Sequence, residues 1–184
     1  ATWSEWRKAQ GRASAEQLGD DMLAALEMND AAARVAAFEQ ITPQAGPDAG
    51  QPVLDFLKAA EQAEAGDAAG AAQTLNDLAV NGDIPEIYRQ IAAFKALSLK
   101  DSGISDEEKR TQFEALARPG APLRLLAMEQ LALLDIKNGQ TDAAITTLQA
   151  VLDDAQVSAG LQQRAAQVIV ALGGTPNINV PAEG

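Results

Sequence analysis

Four thirteen-residue stretches align without a gap, and their shared register restricts the possible folds more than any other feature of the chain. They are "NDAAARVAAFEQI" from Asn29, "GDAAGAAQTLNDL" from Gly66, "ISDEEKRTQFEAL" from Ile104 and "GQTDAAITTLQAV" from Gly139, so their starts lie 37, 38 and 35 residues apart. The tenth position reads Phe38, Leu75, Phe113 and Leu148, and the thirteenth reads Ile41, Leu78, Leu116 and Val151. Large apolar residues three apart share one face of a helix. A unit this short cannot bury such a face alone and must pack it against its neighbours.

Ahead of the second, third and fourth stretches stand further amphipathic segments, "VLDFLKAAEQAEA", "IYRQIAAFKALSL" and "LRLLAMEQLALLDI", and "LQQRAAQVIVAL" closes the series. Pro52, Pro85 and Pro122 introduce three of them, where a missing N–H costs a first helical turn nothing. Gly66 and Gly139 fall where a left-handed residue ends one helix and lets the chain turn back. The unit is therefore a helix pair. Helices are predicted over 3–28, 30–41, 52–64, 67–80, 85–100, 105–117, 122–137, 141–153 and 158–172, with negligible strand. Composition agrees: the hydrophobic share of 47% is mostly Ala and Leu, aromatic residues make up only 4%, and such chains form closely packed helices. "TPQAGPDAG", from Thr42 to Gly50, reads as a loop. "GGTPNINVPAEG" at the end has no helical periodicity and is expected to be mobile. Helix–turn–helix units of roughly 34 to 40 residues make a tetratricopeptide pattern. The expected fold is an all-α, right-handed solenoid of about four pairs with flanking helices: a first helix over 1–28, the array over 29–172 and a flexible tail over 173–184. The third unit departs from the pattern, with Lys109 and Arg110 where the others are mostly small and apolar, so looser or rotated packing is expected there.

The chain has neither His nor Cys. Losing imidazole and thiol together removes the commonest general base, the commonest transition-metal ligand, the cysteine nucleophile and any disulfide. A net charge of −12, from 14 basic and 26 acidic residues, repels a phosphate backbone, so nucleic acid is not an expected partner. No run of about 18 apolar residues is present to span a bilayer.

The remaining polar motifs have structural explanations. "KDSGISDEEKR" lacks the closing glutamate of a calcium loop, since Gln112 stands there, whereas Ser105 followed by Glu108 is a capping box. Lys95 and Ser98, three apart on a helix, could form a Ser–Lys pair, but nothing adjacent supplies an oxyanion site. "GDAAG" lacks the preceding strand and following Lys of a phosphate loop and reads as an interhelical turn. No metal or cofactor is expected and catalysis is not. The expected activity is binding of a polypeptide or docking of a protein partner in a concave groove lined by the first helix of each pair. Tyr88 and Arg89 are candidates by residue type, with core packing beside Ile91 and Ala92 the alternative for Tyr88. Asp55, Lys58, Arg124 and Glu129 occupy comparable helices and either line that groove or face solvent. A structural homo-oligomeriser is the alternative function.

The segments "AAEQAEAGDAAGAAQTLNDLA", "IPEIYRQIAAFKALSL" and "APLRLLAMEQLALLDIKNGQTDAAITTLQAVL" resemble the tetratricopeptide-like domain of bacterial single-pass inner-membrane proteins, a family that includes the ancillary subunit of the Sec translocon. The resemblance covers roughly residues 1–172. It implies a periplasmic domain tethered to the inner membrane, with the translocon or periplasmic chaperones as partners. The opening "ATWSEWRKAQGR" is then expected to lie just outside a membrane anchor: Trp suits the membrane–water interface, and cations suit anionic headgroups. Trp3, Trp6, Arg7 and Lys8 are the membrane-proximal candidates. The alternative is that both rings pack the first helix onto the array or onto a second copy. Arg7, Lys8 and Arg12 speak mildly against a periplasmic orientation, because positive charge beside a span favours the cytoplasmic side.

Overall fold

A computed structural model describes residues 2–41 and 50–178. Among the described residues all regular structure is helical: α1 (Trp3–Leu26), α2 (Ala31–Glu39), α3 (Gly50–Glu64), α4 (Ala68–Val80), α5 (Glu86–Ser98), α6 (Asp106–Leu116), α7 (Arg124–Lys137), α8 (Thr141–Leu152) and α9 (Ala159–Ala171). The protein is all-α, and every helix boundary falls within two residues of its sequence expectation. Local chemistry accounts for this precision. Asp30, Asp67, Ser105 and Ser158 each accept a hydrogen bond from the backbone N–H three residues on, satisfying an amide that the first helical turn leaves without a partner. Gly66 and Gly139 have φ of 83° and 74°, a conformation that costs other residues about 1 kcal/mol. The amide after each glycine reaches back to the carbonyl of Gln62 or Asp135, which closes α3 and α7 in the same way. "GDAAG" is accordingly an interhelical turn, with Asp67 capping α4.

The chain divides into two compact units, Ala1–Gly103 and Ile104–Gly184, where the sequence pattern alone reads one array. The division falls in the connection after α5, where both Asp101 and Gly103 adopt positive φ. Within each unit helices pack chiefly on their sequence neighbours. In the first unit Leu18, Met22 and Ala25 of α1 meet Phe38 and Leu54. A second cluster joins Ala59, Leu75, Leu78, Ala92 and Ala96 from α3, α4 and α5. In the second unit Leu148, Val151 and Leu152 of α8 pack with Ala132, Leu161, Ala165 and Ile169. The tenth-position residues Phe38, Leu75, Phe113 and Leu148 are all buried; of the thirteenth-position residues Leu78 and Val151 are buried and Ile41 and Leu116 half-buried.

Arg110, one of the residues that break the sequence pattern, donates to the buried Asp135 carboxylate at 2.6 Å. The first unit places Arg34 against Glu61 at 2.5 Å, again from the second helix of one pair to the first helix of the next. The polar Arg110 of α6 thus has its partner on α7. Beyond α9 the Gln149 side chain brackets Asn177, donating to its carbonyl at 2.9 Å and accepting from its amide at 3.0 Å. The near part of the expected tail is therefore held on α8. Residues 42–49, most of the expected loop, and 179–184, the end of the expected tail, lie outside the described residues.

Candidate functional site

A recess of about 300 Å³ opens in the first unit between α3 and α5, with Leu75 of α4 at its floor. Phe56, Ala59, Ala60 and Ala63 line it from α3 at the i, i+3, i+4, i+7 spacing of one helical face. Phe94, Lys95, Ser98 and Leu99 line it from α5 and its end. The small alanines are what leave the space open, since a Leu at 60 or 63 would reach across it. Ala60 and Ala63 are exposed, and so are Lys95 and Ser98 at the rim.

The polar groups of this recess are few. Lys95 holds its Nζ 6.0 Å from the centre of the Phe56 ring, at the outer edge of a cation–π contact. The Ser98 hydroxyl donates to the Phe94 carbonyl at 2.8 Å, a back-bond common for serine within helices. Lys95 and Ser98 thus both stand at the rim of the recess. Among the described residues no carboxylate lines the recess.

The residues singled out in the sequence are distributed otherwise. Tyr88 is half-buried and packs against the cluster around Leu75 and Ala92, the core placement allowed for it above. Arg89 is also half-buried, and its Nε is enclosed without a hydrogen-bond partner among the described residues. Asp55 accepts from Gln51 at 2.8 Å. Burial pushes its carboxyl above the usual range, opposed by the Gln51 hydrogen bond and by Lys58. Lys58 lies 3.8 Å from Glu39. Arg124 and Glu129 belong to the second unit, and both are engaged. Arg124 pairs with Asp154 at 2.7 Å, and the Gln156 amide and this guanidinium together hold the Asp154 carboxyl below its ordinary range. Glu129 receives two bonds from Arg164, at 2.9 and 3.0 Å. Arg124 also borders a smaller recess of about 190 Å³ with Leu125, Gln156 and Ser158.

Trp3 and Trp6 are 68% and 57% exposed, and every residue from 2 to 13 is exposed. The Arg7 guanidinium stacks 3.7 Å from the centre of the Trp3 ring. Only the C-terminal part of α1, with Leu18, Met22 and Ala25, joins the core. No helix among the described residues is long and apolar enough to cross a membrane, and no group of three or more acidic side chains there is placed to hold a metal ion.

Phe56, Ala60, Ala63 and Phe94 escaped the sequence reading. Their signal was present as an alanine row one turn beyond a phenylalanine, but a row of alanines marks a tightly packed face and an open recess equally well. No family model, curated protein or solved structure matches the chain.

Proposed function

We propose that the protein is a non-catalytic interaction module that receives a segment of a polypeptide partner in the recess between α3 and α5. The observation that carries this is the recess itself: an apolar concavity of about 300 Å³ on one face of two helices, large enough for one or two bulky side chains, with two phenylalanines as its walls. The successive helix pairs, their 35-to-38-residue spacing and their left-handed glycine turns support reading them as tetratricopeptide-like repeats of a right-handed solenoid. The resemblance to periplasmic domains of single-pass inner-membrane proteins supports a place at the bacterial inner membrane, with the translocon or its chaperones as partners. The exposed Trp3 and Trp6 and the cations behind them suit the membrane-facing end of such a domain.

The test is Ala60→Trp, which fills the recess from an exposed position. Site-specific photo-crosslinking from residue 63 in cells should capture a defined partner, and Ala60→Trp should abolish that capture while circular dichroism stays unchanged. Undiminished capture by the filled variant would place the working surface elsewhere. A homo-oligomeric role has its own supporting observation at the end of α1 and just beyond it, where Leu23 is 61% and Met28 48% exposed. Light scattering separates the two, because an oligomeriser is dimeric or larger at micromolar concentration without any other partner.

A further inference from the structure

We infer that the α3–α5 recess selects an acidic partner segment: a bulky apolar side chain seated between Phe56 and Phe94, with a neighbouring Asp or Glu carboxylate on Lys95. This rests on the groove function proposed above and names the chemistry of its ligand.

Three observations carry it. First, Lys95 has no carboxylate within ion-pair distance among the described residues, whereas Arg34, Lys58, Arg110, Arg124, Lys137 and Arg164 each do. Seven other basic residues share this, and Lys95 is the one among the described residues that lines the recess. Second, none of the described residues lining the recess is acidic, so an arriving carboxylate meets the ammonium without a like-charged neighbour among them. Third, Lys95 stands at the rim beside the phenylalanine wall. A ligand anchored by its apolar side chain would thus bring an adjacent carboxylate to the ammonium at the edge of the contact. Charge complementarity of this kind contributes mainly to specificity, the apolar contact supplying most of the affinity.

The net charge of −12 works in the opposite direction at long range, since it attracts basic peptides. At 0.15 M salt the screening length is about 8 Å, which suppresses the distant field but leaves a contact pair intact. The proposal therefore predicts a local preference against the global one, and that conflict makes it testable.

Two fluorescein-labelled twelve-residue peptides serve as probes, identical in a central Leu-Phe-Leu and flanked by glutamates in one and by lysines in the other. Anisotropy titrations at 0.15 M salt give the ratio of their affinities. For a rim-exposed pair the glutamate peptide should bind about twofold to fivefold tighter. Lys95→Glu should invert the order, changing the ratio by about fivefold or more. Lys100→Glu, which makes the same change of net charge outside the recess, should leave it within about twofold. Ala60→Trp should abolish binding of both peptides. Equal binding of the two peptides, both still lost in Ala60→Trp, would overturn the acidic selection and leave the groove standing. An equal response to Lys100→Glu and Lys95→Glu would also overturn it. Absence of binding, or binding indifferent to Ala60→Trp, would remove the groove and the selection together.

Discussion

Leu148→Ala probes the reasoning that connects the repeat register to the core. Leu148 is fully buried in α8 and sits among Ala132, Ala144, Val151, Leu161, Ala165 and Ile169. Three of those neighbours are alanines, whose methyl groups are fixed to helix backbones and cannot swing into a void. The cavity should therefore stay largely open, which puts the loss toward the upper part of the range of about 2–5 kcal/mol for a buried Leu→Ala. With a urea dependence of about 2 kcal/mol per molar, a loss of about 4 kcal/mol lowers the midpoint by about 2 M. Helicity followed by circular dichroism through a urea titration measures it. Leu148→Met keeps the volume and should cost under about 1.5 kcal/mol. Val80→Ala, at a position 80% exposed, should fall within about 0.5 kcal/mol of the parent. A loss below about 1 kcal/mol for Leu148→Ala, or one indistinguishable from Val80→Ala, would refute the register and the packing drawn from it.

Two further outcomes concern the ion pairs of the second unit. Arg110→Met leaves the buried Asp135 without its guanidinium and should cost about 1–3 kcal/mol, discounted because Arg110 is one-third exposed; adding Asp135→Leu should recover most of it in a double-mutant cycle by urea titration. The Asp154 carboxyl is held below its ordinary range by the Gln156 amide and Arg124, so it contributes stability at pH values above the unfolded-state value of about 3.9 and loses that contribution as pH falls through the lowered folded value. Thermal melts of Asp154→Asn should accordingly show its deficit at pH 7 and its disappearance toward pH 2, and a deficit that persists unchanged at the acid end would argue against a charge origin.

The sequence by itself determined the helices, their ends and much of the interior. Helix content follows from Ala- and Leu-rich periodicity. The starts follow from Asp30, Asp67, Ser105 and Ser158, and the turns from Gly66 and Gly139. All of these act within a few residues and need no distant partner. The buried positions Phe38, Leu75, Phe113 and Leu148 were legible for the same reason, because a repeated apolar residue at a fixed helical phase has one face to occupy. The candidate site was legible only in part. Lys95 and Ser98 stood out as a pair, yet only the packing of α3 against α4 and α4 against α5 turns them into the rim of a recess walled by Phe56 and Phe94. Arg110 likewise breaks the sequence pattern until α7 supplies Asp135, and Arg124 and Glu129 look free for a partner until Asp154 and Arg164 reach them. These contacts join residues 25 to 35 positions apart. Periodicity fixes which way a side chain leaves its own helix. Whether it then meets a counter-charge, another methyl group or open space depends on the helix that packs against it, and that was decided only by the tertiary structure.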